Sequence, residues 1–71
     1  MSMSILFNKR TVLVNFNGGT DHRLLPALIN ALRYNRLTMI NLIQSIDRVD
    51  LFASEAIIYS IDGNKARVPI F

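Results

Sequence analysis

The single histidine, His22, follows Thr20 and Asp21 in a segment opened by two glycines. A carboxylate beside an imidazole is the arrangement of an oriented general base. No nucleophile is marked nearby, however, and sequence neighbours on a loop point apart, so the spacing favours a solvated loop histidine. The candidate metal ligands are His22, Asp21, Asp47, Asp50 and Glu55. Asp47 and Asp50 could share a helix face, but no second ligand pair accompanies them. They read as a solvated acidic patch, pairing with Arg48 or a partner chain. The chain has no cysteine, which excludes a disulfide framework, a thiolate zinc site and a cysteine nucleophile. The expectation is a protein without catalytic residues, metal or cofactor.

Asn17-Gly18-Gly19-Thr20 ahead of a helix could offer backbone N–H groups to a phosphate. The phosphate-loop pattern with its Lys-Ser/Thr pair is absent, as is the three-glycine dinucleotide pattern, so a plain turn is the simpler reading.

The basic residues offer more. Lys9 and Arg10 fall at a hairpin tip, Arg33 and Arg36 flank an inter-helix turn with Tyr34 between them, and Lys65 and Arg67 lie on a second hairpin. Cations at turns are placed to touch phosphates, and an exposed tyrosine can stack on a base. The competing reading is ordinary solubilising charge. One sequence does not show whether the three groups converge.

The elements that would carry these residues follow from hydrophobic period. Residues 4 to 16 predict a hairpin. A two-residue turn at Asn8-Lys9 pairs Phe7 with Arg10 and Ile5 with Val12, putting Ile5, Val12 and Val14 on one face. Leu6, Thr11, Leu13 and Asn15 take the other. Asn17 to Asp21 is the clearest loop. Helix A starts near Leu25 with Pro26 in its first turn, where a missing N–H costs least. Its buried face is Leu25, Leu28, Ile29 and Leu32, and it ends at Tyr34-Asn35. Helix B opens at Thr38, with Met39, Leu42, Ile43, Ile46, Val49 and Ala53 as its buried stripe. Residues 56 to 71 predict a second hairpin turning at Asp62-Gly63-Asn64. Ile57, Tyr59, Ile61, Ala66, Val68 and Ile70 are expected on one face, and Pro69 marks an edge strand.

The predicted architecture is a single small α+β domain spanning residues 1–71. An antiparallel sheet is formed by N-terminal and C-terminal β-hairpins, with two central helices packed on one face, in the order ββααββ.

Composition sets the remaining bounds. A 71-residue chain is too short for two domains, and one that is 51% hydrophobic and 18% charged is not a disordered tail. So small a body buries only about 60% of its unfolded surface, and with no disulfide it gains most from self-association, a dimer above all. The net charge of +3 is a weak pull toward polyanions. No apolar run is long enough to span a membrane, and Met1 to Phe7 lacks the basic start and cleavage site of a signal peptide, so the expected compartment is the cytoplasm. The function expected is that of a small non-enzymatic regulator that self-associates and binds nucleic acid through Lys9, Arg10, Arg33, Tyr34, Arg36, Lys65 and Arg67. The alternative is a protein-binding adaptor or inhibitor that docks through an apolar helix face or an exposed strand edge.

Overall fold

The structure is a computed structural model that describes residues 1–7, 9–34 and 46–70. Among these residues there are five strands and one α-helix: β1 (Ser2–Phe7), β2 (Arg10–Phe16), α1 (Leu25–Tyr34), β3 (Ile46–Leu51), β4 (Glu55–Ser60) and β5 (Lys65–Pro69). The strands form one sheet in sequence order, β1-β2-β3-β4-β5. Three neighbouring pairs are antiparallel, while β2 and β3 run parallel. The sheet is therefore mixed. The chain leaves the end of β2, passes through α1, and enters β3 in the direction it had in β2, which only a crossover connection allows. Among the described residues no helix is long and apolar enough to cross a membrane.

The N-terminal hairpin follows its pattern. Phe7 pairs with Arg10 and Ile5 with Val12. Val12 and Val14 are fully buried while Leu6 on the other face is exposed. The Asn17 to Asp21 loop also falls where expected. It leads into a 3-10 turn, His22–Leu24, capped by the Asp21 carboxylate, which accepts from the Arg23 backbone N–H at 2.9 Å. Regular α-helix starts at Leu25 with Pro26 in its first turn. Leu28 and Leu32, one turn apart, are wholly buried against the sheet, and Leu25 and Ile29 pack beside them.

The expected second central helix is not formed where it can be observed. Its stripe residues Ile46 and Val49 lie on strand β3, and Ala53 sits exposed in the bend after it. Thr38, Met39, Leu42 and Ile43 lie outside the described residues. The physical cause is a β-bulge. Ile46 pairs with Ser60 and Arg48 with Tyr59, so β3 spends two residues where β4 spends one. The extra residue lets Ile46 and Val49, three apart, both point into the core, where they are buried with Leu51. A three-residue spacing of buried positions is the signature of a helix, and here a bulged strand reproduces it.

The C-terminal hairpin forms, but one strand faces the other way. Ala56, Ile58 and Ser60 are buried, and Ile57 and Tyr59 turn to the opposite face from Val68 and Ile70. Tyr59 pairs with Lys65 and Ile58 with Ala66. The loop holds an odd number of residues, Ile61, Asp62 and Gly63, closed by Ser60 N–H to Asn64 O at 2.9 Å and Gly63 N–H to Ser60 O at 3.2 Å. Two- and four-residue loops would keep Tyr59 with Val68, whereas an odd loop reverses that parity. Gly63 makes the loop possible, since its φ of +92° in the third position matches the three-residue hairpin that ends in a left-handed residue.

Gly63→Ala is accordingly expected to lower stability by roughly 1–2 kcal/mol, although open space surrounds the position and no new contact would clash. Urea unfolding monitored by circular dichroism measures this, and an unchanged midpoint would refute the loop geometry.

Candidate nucleic-acid interface

Helix α1 covers one face of the sheet, and its buried leucines join a core made from the inward residues of all the strands. The other face is left open by the described residues. Strand pairing lines up side chains on that face in two rows. The first runs Ser4, Leu13, Arg48, Tyr59, Lys65, and the second runs Ser2, Asn15, Asp50, Ile57, Arg67. The β1 and β2 half carries no charge. The β3 to β5 half gathers three cations, Arg48, Lys65 and Arg67, around one aromatic ring.

Contacts between neighbours fix this half. The Arg48 guanidinium lies over the Tyr59 ring at 4.2 Å from its centroid, a cation–π contact made by an exposed arginine. Asn15 Nδ2 donates to Asp50 Oδ1 at 3.0 Å, which occupies the one acidic group in the second row. Arg67 Nε donates to Glu55 Oε2 at 3.2 Å, and the Arg67 side chain stays 72% exposed. Such an exposed pair is worth little and yields readily to a phosphate. A shallow open hollow of about 330 Å³ lies against Ile57, Lys65, Ala66 and Arg67.

The basic residues expected from the sequence fall in different places. Lys65 and Arg67 share the open face. Lys9 holds the first hairpin tip at φ +64°, a conformation costly for any residue but glycine, asparagine or aspartate. Arg10 pairs with Phe7 at the same end of the sheet, on the core side, and is half-buried. Arg33 and Tyr34 end α1 in the helix layer, both exposed, so one flat ligand on the open face does not reach them. There Arg33 complements the negative end of the helix dipole. Arg36 lies outside the described residues. Two members of the site are not marked by the sequence: Arg48 falls within the expected helix B, and Tyr59 is expected on one face with Val68 and Ile70, from which the structure turns it away. In Glu55-Ala56-Ile57-Ile58-Tyr59-Ser60 both alternating sets are apolar enough to be buried, so only loop parity decides between them.

The residues that could have marked other chemistry are engaged elsewhere. Thr20 Oγ1 donates to the carbonyls of Asn17 and Leu51, at 2.8 and 3.2 Å. Asp21 is gripped by Arg23, with Nη2 to Oδ2 at 2.7 Å, and not by His22, which is exposed. The Arg23 side chain, and then its backbone N–H, hold the Asp21 carboxyl down at about 2 from a usual 3.8. Asp47 lies in the β3 bulge, apart from Asp50. A carboxyl whose pKa is lowered by folding stabilises the fold above its unfolded value, and that contribution fades as pH falls through the folded value. For Asp21 the window runs from 3.8 down to about 2. NMR titration should place the Asp21 carboxyl midpoint near the lower figure, and Arg23→Ala should return it toward the upper one. A midpoint unmoved by Arg23→Ala would show that the pair is not formed.

No protein-family model, curated protein or solved structure matches the chain.

Proposed function

We propose that this chain is a non-enzymatic nucleic-acid-binding protein that lays a single strand across the open face of its sheet. The observation that carries this reading is the register placing Arg48, Tyr59 and Lys65 in one row beside Arg67, on the face opposite α1. A sheet face with a stacking platform and flanking cations suits unstacked bases, which every single strand offers. A base would stack on the Arg48 guanidinium, itself seated on Tyr59, with phosphates on Lys65 and Arg67. Of the cations expected at three separate turns, Lys65 and Arg67 share this face among the described residues, joined by two residues from β3 and β4. The outer edge of β1, which has no partner among the described residues, favours a second, protein-binding role that does not involve this face.

Fluorescence anisotropy of a labelled pyrimidine oligonucleotide tests the proposal. Binding at low ionic strength should weaken with salt. Each of Arg48→Ala, Lys65→Ala and Arg67→Ala should reduce affinity, and each lost phosphate contact should cut the log–log salt slope by about 0.7. Arg48→Ala should cost about 1–3 kcal/mol if a base stacks there. Arg33→Ala, in the helix layer, should change nothing. Absence of binding at low salt removes the proposal, and equal losses at Arg33 and Arg48 remove the open face as its site.

A further inference from the structure

We infer that β1 is a self-pairing edge, and that two copies of this chain join through it, antiparallel and centred on Ser4, into one continuous sheet. Strand β1 is the first strand of the sheet and pairs only with β2, so its outer edge has no partner among the described residues. Because Phe7 and Arg10 flank a two-residue turn, they form a hydrogen-bonded pair, and the bonded pairs then recur at Ile5 and Met3. The Phe16 N–H bond to Met1 O at 2.8 Å continues the same phase. The N–H and C=O groups of Ser2, Ser4 and Leu6 therefore point away from β2, as three donors and three acceptors in a row.

That row is complementary to itself. With the two-fold axis at Ser4, Ser2 of one copy meets Leu6 of the other, Ser4 meets Ser4, and all the outward groups are satisfied at once. The axis stands perpendicular to the sheet, so both helices lie on one face and both open faces on the other. Met3, 43% exposed, then packs beside Ile5 of the second copy, and the two cores run together.

The second copy is favoured by the match of this row to itself and by the lack of anything on β1 that would hold two such edges apart. Strand β1, Ser-Met-Ser-Ile-Leu-Phe, has no charge, no proline and no bulge, the three devices that keep edges apart, and Leu6 on it is 75% exposed. The opposite edge, β5, has all its protection: Lys65 and Arg67 would repel their own copies, and Pro69 has no N–H to give.

Sedimentation equilibrium of the full chain, with no oligonucleotide in any arm, tests the inference apart from the nucleic-acid reading. The wild-type protein should have twice the 8.1 kDa chain mass. Ser4→Lys and Ser4→Pro should halve it while the circular dichroism spectrum of the fold is kept, since the Ser4 N–H points outward and makes no bond to β2. If Ser4→Pro does not fold, Ser4→Lys decides. Register is read from Ser4→Cys, the only thiol in the variant, which should oxidise to a covalent dimer, whereas Thr11→Cys on β2 should not. A wild-type monomer at all concentrations overturns the inference. So does a dimer that survives Ser4→Lys, or one in which Thr11→Cys cross-links and Ser4→Cys does not.

Discussion

Leu28→Ala is expected to lower the melting temperature by more than about 10 °C, a loss that on the helix only the equally buried Leu32 should match. Leu28 is fully buried, and with Leu32 it is the docking surface of the only helix among the described residues. Truncating a buried leucine costs about 2–5 kcal/mol, because the transfer energy is lost and a cavity remains. A domain this small has roughly 4–10 kcal/mol in total, so half or more of its stability can go. Each kcal/mol moves the midpoint by about 4–8 °C at this size. Ile29→Ala, at a half-buried neighbour, should cost clearly less. Thermal unfolding of the two variants side by side checks the order. Equal and small losses would mean that α1 is not docked through this face.

Deleting Asp50 should unfold the chain, while deleting Asp47, three residues earlier on the same strand, should leave it folded with its melting temperature within about 5 °C. The contrast comes from the bulge. Without Asp47, Ile46 and Val49 are separated by a single residue, so an ordinary alternating strand keeps both inward. The pairings Ile46 with Ser60, Arg48 with Tyr59 and Val49 with Ile58 all survive. Without Asp50, Val49 and Leu51 become adjacent, and one of two fully buried residues must turn out to solvent. A one-residue slip reverses every side chain on one side of the break. Exposing such a residue costs about 1.5–3 kcal/mol before the lost ladder bonds are counted. Circular dichroism of the two deletions is sufficient, and if both unfold, the β3 bulge is not as drawn.

The elements that the sequence made legible are those whose signals are local. The two-residue turn of the first hairpin fixes its register by itself, so the pairing of Phe7 with Arg10 could be read from alternation alone. The Gly18-Gly19 loop and the start of α1 at Leu25 are likewise local, since glycine and proline restrict only their own backbone and that of their neighbours. Asp62-Gly63 announces a turn, but not whether two, three or four residues lie in it. That count decides which face receives Tyr59. The three-residue spacing of Ile46 and Val49 marks both as buried, but it is the spacing of a helix, which the bulged strand reproduces. Of the candidate site, Lys65 and Arg67 were legible as cations on a hairpin, whereas Arg48 and Tyr59 depend on the two features that no local pattern reveals.

By itself the sequence settled the amphipathic alternation of β1 and β2, the glycine loop, the proline-led helix and the absence of thiol chemistry. Each follows from the covalent and steric properties of residues close together in the chain. Only the tertiary structure decided that β2 and β3 run parallel, that Ile46 to Leu51 is a bulged strand, and that Arg48, Tyr59, Lys65 and Arg67 share an open face. Those outcomes depend on pairing between segments far apart in sequence. There a single inserted residue, in a bulge or in a loop, reverses which side chains meet the helix and which meet solvent.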